Sequence, residues 1–208
     1  MPPGKGPFPA VIYAHGSGGN RSDLVVPAVW FAARGAVALM IDAPFARNPS
    51  REYASEARQT AALVQEVADL RRAVDLLQSR RYVDPRRIAV VGLSQGARVG
   101  AVLAGEEPRI RAFDLMSGRG APLGTGLDEL GEIGRSQAQF LLQAGLHDEV
   151  VPRAQLVALI DAAPRTKEVR WYNAGHLLDV HAIHDQLRWL ARQLGLGGPV
   201  VRGAQTGP

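Results

Sequence analysis

Short apolar runs alternate with amphipathic stretches from one end of the chain to the other. Ala10-Val11-Ile12-Tyr13-Ala14 has the composition of a strand, followed by a glycine-rich loop and a helical stretch near Ser22 to Arg34. Ala36 to Ile41 is a second strand. Then Leu63, Val67, Leu70, Val74 and Leu77 recur at steps of four and three, which paints one apolar stripe on a long helix and leaves Arg71, Arg72 and Asp75 to solvent. Asp84-Pro85 leads into a third strand at Arg87 to Val91, and Ala97 to Ala104 reads as the helix after it. Ile110 to Met116, Ala138 to Gln143 and Glu168 to Tyr172 are further strands, and a last helix runs from about Leu177 to Leu194. The strand cores are almost continuously apolar, as burial on both faces requires. About six strands with intervening helices predict an α/β fold: a parallel sheet covered on both sides and wound by right-handed crossovers.

Two stretches break this rhythm. Ser117 to Arg135 is rich in glycine with little periodicity, and is either a plain long connection or a flap over a site. Residues 195–208 have the composition of a frayed, flexible tail, so residues 1–194 read as a single domain. At 208 residues the chain is long enough to bury a core without covalent staples.

Composition removes several kinds of chemistry. There is no cysteine, which excludes disulfides and thiolate nucleophiles. The formal charge of +4 is small for this length, and the pairs Arg71-Arg72, Arg80-Arg81 and Arg86-Arg87 read as solvated faces, so no nucleic-acid partner is expected. Lysine occurs only at Lys5 and Lys167, a compositional bias with no functional reading. No segment has the apolar length to span a bilayer, and the proline- and glycine-rich start does not resemble a secretory signal, so a cytoplasmic protein away from membranes is the expectation.

In an open parallel sheet, ligands bind beyond the carboxyl ends of the strands, so the residues just after each strand carry the candidate chemistry. Gly92-Leu93-Ser94-Gln95-Gly96 follows the third strand and precedes a helix, the context in which G-x-S-x-G forms a strained corner that exposes a serine. A serine hydroxyl needs a base to take its proton and a carboxylate to orient that base, in the chain order serine, acid, histidine. The loop Gly145 to Pro152 offers Asp148, and Asn173 to Leu177 offers His176, in that order and both at strand ends. Glu149 and Asp179 compete for the acid. His147, His181 and His184 compete for the base, with His147 expected to shape its loop and the other two to lie on the last helix. A tetrahedral intermediate also needs donors for its negative oxygen. The backbone N–H of Gln95 at a helix start is one, and Ser17 in His15-Gly16-Ser17-Gly18-Gly19 offers the second through its backbone, with His15 bracing that loop. Trp30, Phe45, Tyr53, Leu123, Leu127 and Leu178 are candidates for a substrate pocket, each equally readable as ordinary packing.

These motifs together resemble the α/β-hydrolases, and among them the dienelactone hydrolase and prolyl-oligopeptidase-like serine esterases. The resemblance rests on HGSGG at His15 to Gly19, VDPRRIAVVGLSQG at Val83 to Gly96, GLHDEVVP at Gly145 to Pro152 and AGH at Ala174 to His176. It implies hydrolysis of small soluble carboxylic esters through Ser94, His176 and Asp148, with no metal or organic cofactor. A peptidase or thioesterase on the same three residues is the alternative, and a non-catalytic binder on the same fold is a third reading. Dienelactone hydrolases proper use a cysteine where this chain has Ser94. The family usually carries two further strands before the HG loop, so the domain is expected to be either a minimal version or one whose start lies upstream. The strand at Ala36 to Ile41 is then an exposed sheet edge open to pairing in a homodimer. No insertion large enough for a cap domain is present, which predicts an open site.

Overall fold

A computed structural model describes residues 2, 4–120 and 127–196. Six strands form one sheet: β1 (Phe8–Ala14), β2 (Val37–Ile41), β3 (Val83–Leu93), β4 (Ala112–Met116), β5 (Gln139–Gly145) and β6 (Lys167–Tyr172). Their order is β2-β1-β3-β4-β5-β6, every pair parallel. The chain reverses direction across the sheet after β2, which leaves the carboxyl ends of β1 and β3 side by side at the switch. β1 is buried at all seven positions, since it has a strand on each flank and helices on each face.

The alternation along β1 divides the core. Ala10, Ile12 and Ala14 face a layer built from α4 (Glu56–Gln78), α5 (Gln95–Glu106), α6 (Glu129–Arg135) and α7 (Arg153–Ala162). Val11 and Tyr13 face α1 (Val25–Ala32) and α8 (Val180–Gln193). Two short helices, α2 (Pro44–Arg47) and α3 (Pro49–Glu52), connect β2 to α4. α4 begins where the Ser55 side chain accepts from the N–H of Arg58, and the predicted stripe of Leu63, Val67, Leu70, Val74 and Leu77 is buried against the sheet.

Several boundaries differ from the sequence expectation for local reasons. β3 is longer than Arg87 to Val91, because its pairing with β1 shifts register after Phe8 and accommodates Pro85 in the irregular stretch. The last helix starts at Val180, not near Leu177, because Asp179 caps it by accepting from the N–H groups of His181 and Ala182. The aperiodic stretch after β4 contains α6, which packs its buried Ile133 into the core, so this half is neither a plain connection nor a flap. Positions 121–126 of that stretch lie outside the described residues, as do 197–208 of the expected tail. Leu196 packs beside the α8 face. β2 is an edge strand with every residue half-buried, and β6 is the other edge. Among the described residues no helix is long and apolar enough to cross a membrane.

Candidate active site

β3 ends in a corner that only its glycines permit. Ser94 lies at φ 54°, ψ −108°, in the positive-φ region of backbone space that residues with a Cβ disfavour by about 1–3 kcal/mol. The corner is held by the Ser94 N–H donating to Met116 O (2.8 Å) and by the Ser94 carbonyl accepting from Ala97 and Arg98 (3.0 and 3.1 Å). A Cβ on Gly92 would stand 2.6 Å from the Gly96 carbonyl carbon and 2.8 Å from the Ala97 nitrogen. A Cβ on Gly96 would stand 2.6 Å from the Ala14 carbonyl carbon, with the oxygen closer still. The G-x-S-x-G spacing is therefore a packing requirement: the first turn of α5 folds back over Gly92 and lies against the end of β1.

The three residues picked out by chain order meet at this corner. His176 Nε2 is 2.8 Å from Ser94 Oγ, and His176 Nδ1 is 2.9 Å from Asp148 Oδ2 and 3.1 Å from Oδ1. Asp148 Oδ1 also accepts the N–H groups of Val150 and Val151, each at 2.9 Å. Its side chain is 1 % exposed. Burial pushes the Asp148 carboxyl upward, but the Val151 N–H, His176 and the Val150 N–H outweigh it and hold the group below its usual range. Asp148 thus stays an acceptor, which directs Nδ1–H at itself and leaves the Nε2 lone pair facing the serine hydroxyl.

The competitors have other occupations. Asp179 caps α8, Glu149 is exposed, and His181 and His184 are exposed on α8. His147 is 2.8 Å from Asn173 Oδ1, which ties the Asp148 loop to the loop that carries His176. His15 is buried; its Nδ1 donates to Gly16 O (2.8 Å) and its Nε2 accepts from the Ala43 N–H (3.0 Å), so it holds the loop after β1 against the end of β2.

Ser17 and Gln95 face each other across the mouth of the corner, with Ser17 Oγ donating to Gln95 Oε1 at 2.5 Å. Gln95 is the first residue of α5, so its N–H has no preceding turn to accept it and points outward at the positive end of the helix. The Gly19 N–H donates to Gly16 O (3.2 Å), closing the tight turn that carries Ser17.

A cavity of about 170 Å³ opens here, lined by Ser17, Ser94, Gln95, Arg98, Ser117 and Arg119 together with Val150 and Val151. Most of the aromatic and aliphatic pocket candidates lie elsewhere. Trp30 packs edge-on to Phe31 beneath Arg34 on the α1 side of the sheet. Leu178 joins the same cluster, Phe45 and Leu127 belong to the core of the opposite face, and Leu123 is outside the described residues. Phe45 is buried in that packing, and Trp30, Leu127 and Leu178 are partly buried by it. Tyr53 reaches the site, with Oη 3.4 Å from Ser17 Oγ.

Sequence reasoning missed the polar half of the cavity. Arg98 follows Ser94 by four residues and so projects from the same side of α5, a spacing that signals proximity. Its Nε donates to Glu129 (3.1 Å), while its Nη2 and the Nε of Arg119 are buried without a hydrogen-bond partner among the described residues. Burial, and after it the Arg119 charge, lowers the Arg98 pKa. Ser117 lies at φ 51° after β4 and donates from Oγ to the carbonyl of His176 (2.7 Å), fixing the histidine's backbone. Among the described residues no group of three or more His, Asp or Glu side chains is gathered so as to hold a metal ion.

Solved structures share this fold. The fold matches 2,6-dihydroxy-pseudo-oxynicotine hydrolase at a TM-score of 0.76 and 20% identity, over 96% of this chain and 64% of that one. The chain therefore spans less than two thirds of that hydrolase. An acetyl xylan esterase from Paenibacillus sp. R4 matches at 0.76 and 22% identity, over 92% and 76% of the two chains. A Bacillus cereus carboxylesterase matches at 0.67 and 22%, over 91% and 92%. No curated protein matches. At these identities the likeness concerns the α/β-hydrolase fold. The sequence itself carries the family's pattern over residues 1–182, from the strand before the HG loop to beyond the histidine, and the chain belongs to the dienelactone hydrolase family.

Proposed function

We propose that this protein is a serine hydrolase that cleaves small carboxylic esters. The observation that carries the reading is the unbroken line of hydrogen bonds from Ser94 Oγ through His176 to a buried, ionised Asp148. Ser94 attacks the ester carbonyl while His176 Nε2 takes the hydroxyl proton, and Asp148 stabilises the imidazolium that forms. The N–H groups of Gln95 and Ser17 receive the developing oxyanion. His176 then gives its proton to the departing alcohol, and a water, deprotonated by the same nitrogen, releases the acid from the acyl-enzyme.

The cavity supports a restriction on substrate. It is smaller than the roughly 300–1,000 Å³ typical of drug-sized ligands, so a short acyl or alcohol group fits it best. Arg98 and Arg119 on its wall favour an ester that carries an acidic group at its far end. A larger cleft of about 780 Å³ lies at the amino ends of β3, β4 and β5, between Arg86, Arg109 and Arg135, but neither Ser94, Asp148 nor His176 lines it. Chemistry therefore belongs to the smaller cavity.

The test is a chain-length series of chromogenic esters, neutral and acid-bearing, run beside Ser94→Ala and an organophosphate label. Turnover that is highest for short acyl chains, abolished in Ser94→Ala and accompanied by labelling of Ser94 is expected. Undiminished hydrolysis by Ser94→Ala would overturn the assignment.

A further inference from the structure

One buried carboxylate near the site has no part in the reaction as written. Glu66 lies on the sheet-facing stripe of α4, between Leu63 and Leu70, and is 2 % exposed. An apolar side chain there would avoid a desolvation cost of several kcal/mol. Its oxygen accepts instead from the side chain of Gln95, Nε2 to Oε2 at 2.8 Å. Gln95 is itself buried, and its carbonyl Oε1 accepts from the Ser17 hydroxyl at 2.5 Å. Tyr53, 44 % exposed at the rim, stands behind Ser17.

The chemistry of the partners fixes the direction of this chain. An ionised carboxylate only accepts, so Gln95 must turn its NH₂ to Glu66 and its carbonyl to Ser17. Ser17 must then give its proton to Gln95. The two residues joined by that bond are the two whose backbone N–H groups receive the oxyanion in the proposed reaction. They come from separate segments, a loop followed by Gly18 and Gly19 on one side and the start of α5 on the other, and the side-chain bond sets the gap between them. We propose that Glu66 is a positioning residue for ester hydrolysis, holding through the Gln95 amide the spacing of the Ser17 and Gln95 N–H donors; the proposal rests on Ser94 being the nucleophile.

The carboxylate is poised to matter near neutral pH. Burial pushes Glu66 up to about 7, opposed by the Gln95 hydrogen bond, reinforced by Asp69 on its own helix and opposed again by Arg47 from α2 and Arg98 from α5. Once protonated, Glu66 can donate as well as accept and no longer dictates which way the Gln95 amide faces. An additional ionisation should therefore appear in kcat that a variant without a titrating group at 66 lacks, with activity rising as the carboxylate forms.

The experiment compares native protein with E66L, E66Q, S17A and the S17A/E66L double variant on one short chromogenic ester. It also measures affinity for a trifluoromethyl ketone, which forms a tetrahedral adduct with the serine. E66L should lower kcat by about 10–100-fold with KM nearly unchanged, since a misplacement of ångström scale costs that much at a preorganised site. Ketone affinity should fall in step, E66Q should hold at every pH the reduced kcat of the native protein with Glu66 protonated, above that of E66L, and the double variant should be no worse than the poorer single one. Native kcat in folded E66L, or losses in S17A and E66L that simply add, would overturn the role. If E66L does not fold, the pH profile of E66Q decides: loss of the neutral ionisation supports the role, and a profile superimposable on the native one refutes it. A native protein that neither turns over ester nor takes an organophosphate label overturns the nucleophile itself, whereas normal labelling with unaffected Glu66 variants overturns only the role of Glu66.

Discussion

Replacing Asp148 by asparagine changes one atom, and the hydrogen bonds around it dictate the consequence. Oδ1 accepts two backbone N–H groups, from Val150 and Val151, each at 2.9 Å, while Oδ2 faces His176 Nδ1 at 2.9 Å. An asparagine has one oxygen to place. Turning its NH₂ toward the two backbone donors would break two buried hydrogen bonds, at about 1–3 kcal/mol for each group left unsatisfied. The amide oxygen therefore takes the Oδ1 position, and the NH₂ points at Nδ1. The histidine must answer with a lone pair on Nδ1, which moves its proton to Nε2, where it faces Ser94 Oγ 2.8 Å away. The serine then has no base. Trapping the imidazole in this tautomer costs a triad hydrolase about 10⁴-fold in kcat, or about 5.5 kcal/mol of barrier. Stability should change little, because both backbone donors keep their partner. Steady-state hydrolysis of a chromogenic acetate, with circular dichroism to confirm the fold, measures both quantities. A folded Asp148→Asn protein that keeps more than about a tenth of native kcat would show that Asp148 does not set the tautomer and would refute the reasoning.

Gly96→Ala places a methyl 2.6 Å from the Ala14 carbonyl carbon, so α5 must back away from β1 and carry the Gln95 N–H with it. We expect about 10²-fold loss of kcat and about 1–3 kcal/mol of stability, measured by ester turnover and urea denaturation. Arg119→Gln should raise KM for an acid-bearing ester by about tenfold, equivalent to about 1.4 kcal/mol, and leave the neutral analogue unchanged; equal effects on both would remove Arg119 from substrate recognition. Asp114, fully buried on β4 with Oδ2 accepting from Gln186, is pushed by burial up to about 7. The folded chain thus keeps a proton that the unfolded chain releases, so the native protein loses stability as pH rises from about 4 to about 7. Asp114→Asn should remove that slope and gain up to about 4 kcal/mol over native above neutrality, a gain absent in acid; parallel denaturation curves at the two extremes would contradict it.

What the sequence disclosed and what it hid follow from the same physics. That Ser94, Asp148 and His176 come together was legible because strand ends are marked by glycine and because the fold fixes the order of the groups that follow them. The sheet was legible in the runs from Ala10, Ala36, Arg87, Ile110, Ala138 and Glu168: the inner strands are almost continuously apolar because both faces are buried, whereas the edge strand β6, Lys-Glu-Val-Arg-Trp-Tyr, is more polar because it is only part-buried. α6 was hidden because its seven residues, ELGEIGR, bury only Glu129 and Ile133, too few to set a period. Size and apolarity fit a core as well as a cavity, which is why Trp30, Phe45 and Leu178, packed in or against the core, could not be told from pocket residues such as Tyr53. Arg98 and Glu66 did leave signals. One is a charge a helical turn beyond the nucleophile, and the other a carboxylate in step with the stripe of Leu63, Val67 and Leu70.

Glu66 and Asp114 show how such a signal is weighed. Both are carboxylates buried against the same sheet, on opposite faces, and burial raises both. Desolvation alone therefore does not separate function from packing. What separates them is where the hydrogen bonds lead. From Asp114 the bond goes to Gln186 on α8, a residue of the far face that touches none of the reacting groups. From Glu66 it goes through Gln95 to Ser17, and so spans the gap in which the proposed oxyanion is held. A buried charge that only bridges core elements can be replaced by a neutral isostere with a gain in stability, which is the outcome expected for Asp114. If Glu66 sets a catalytic distance, its neutral isostere should also stabilise the fold while altering the pH dependence of turnover. Measuring stability and kcat on the same Glu66→Gln protein thus separates a costly packing choice from a working one: both should move at Glu66, and only stability at Asp114.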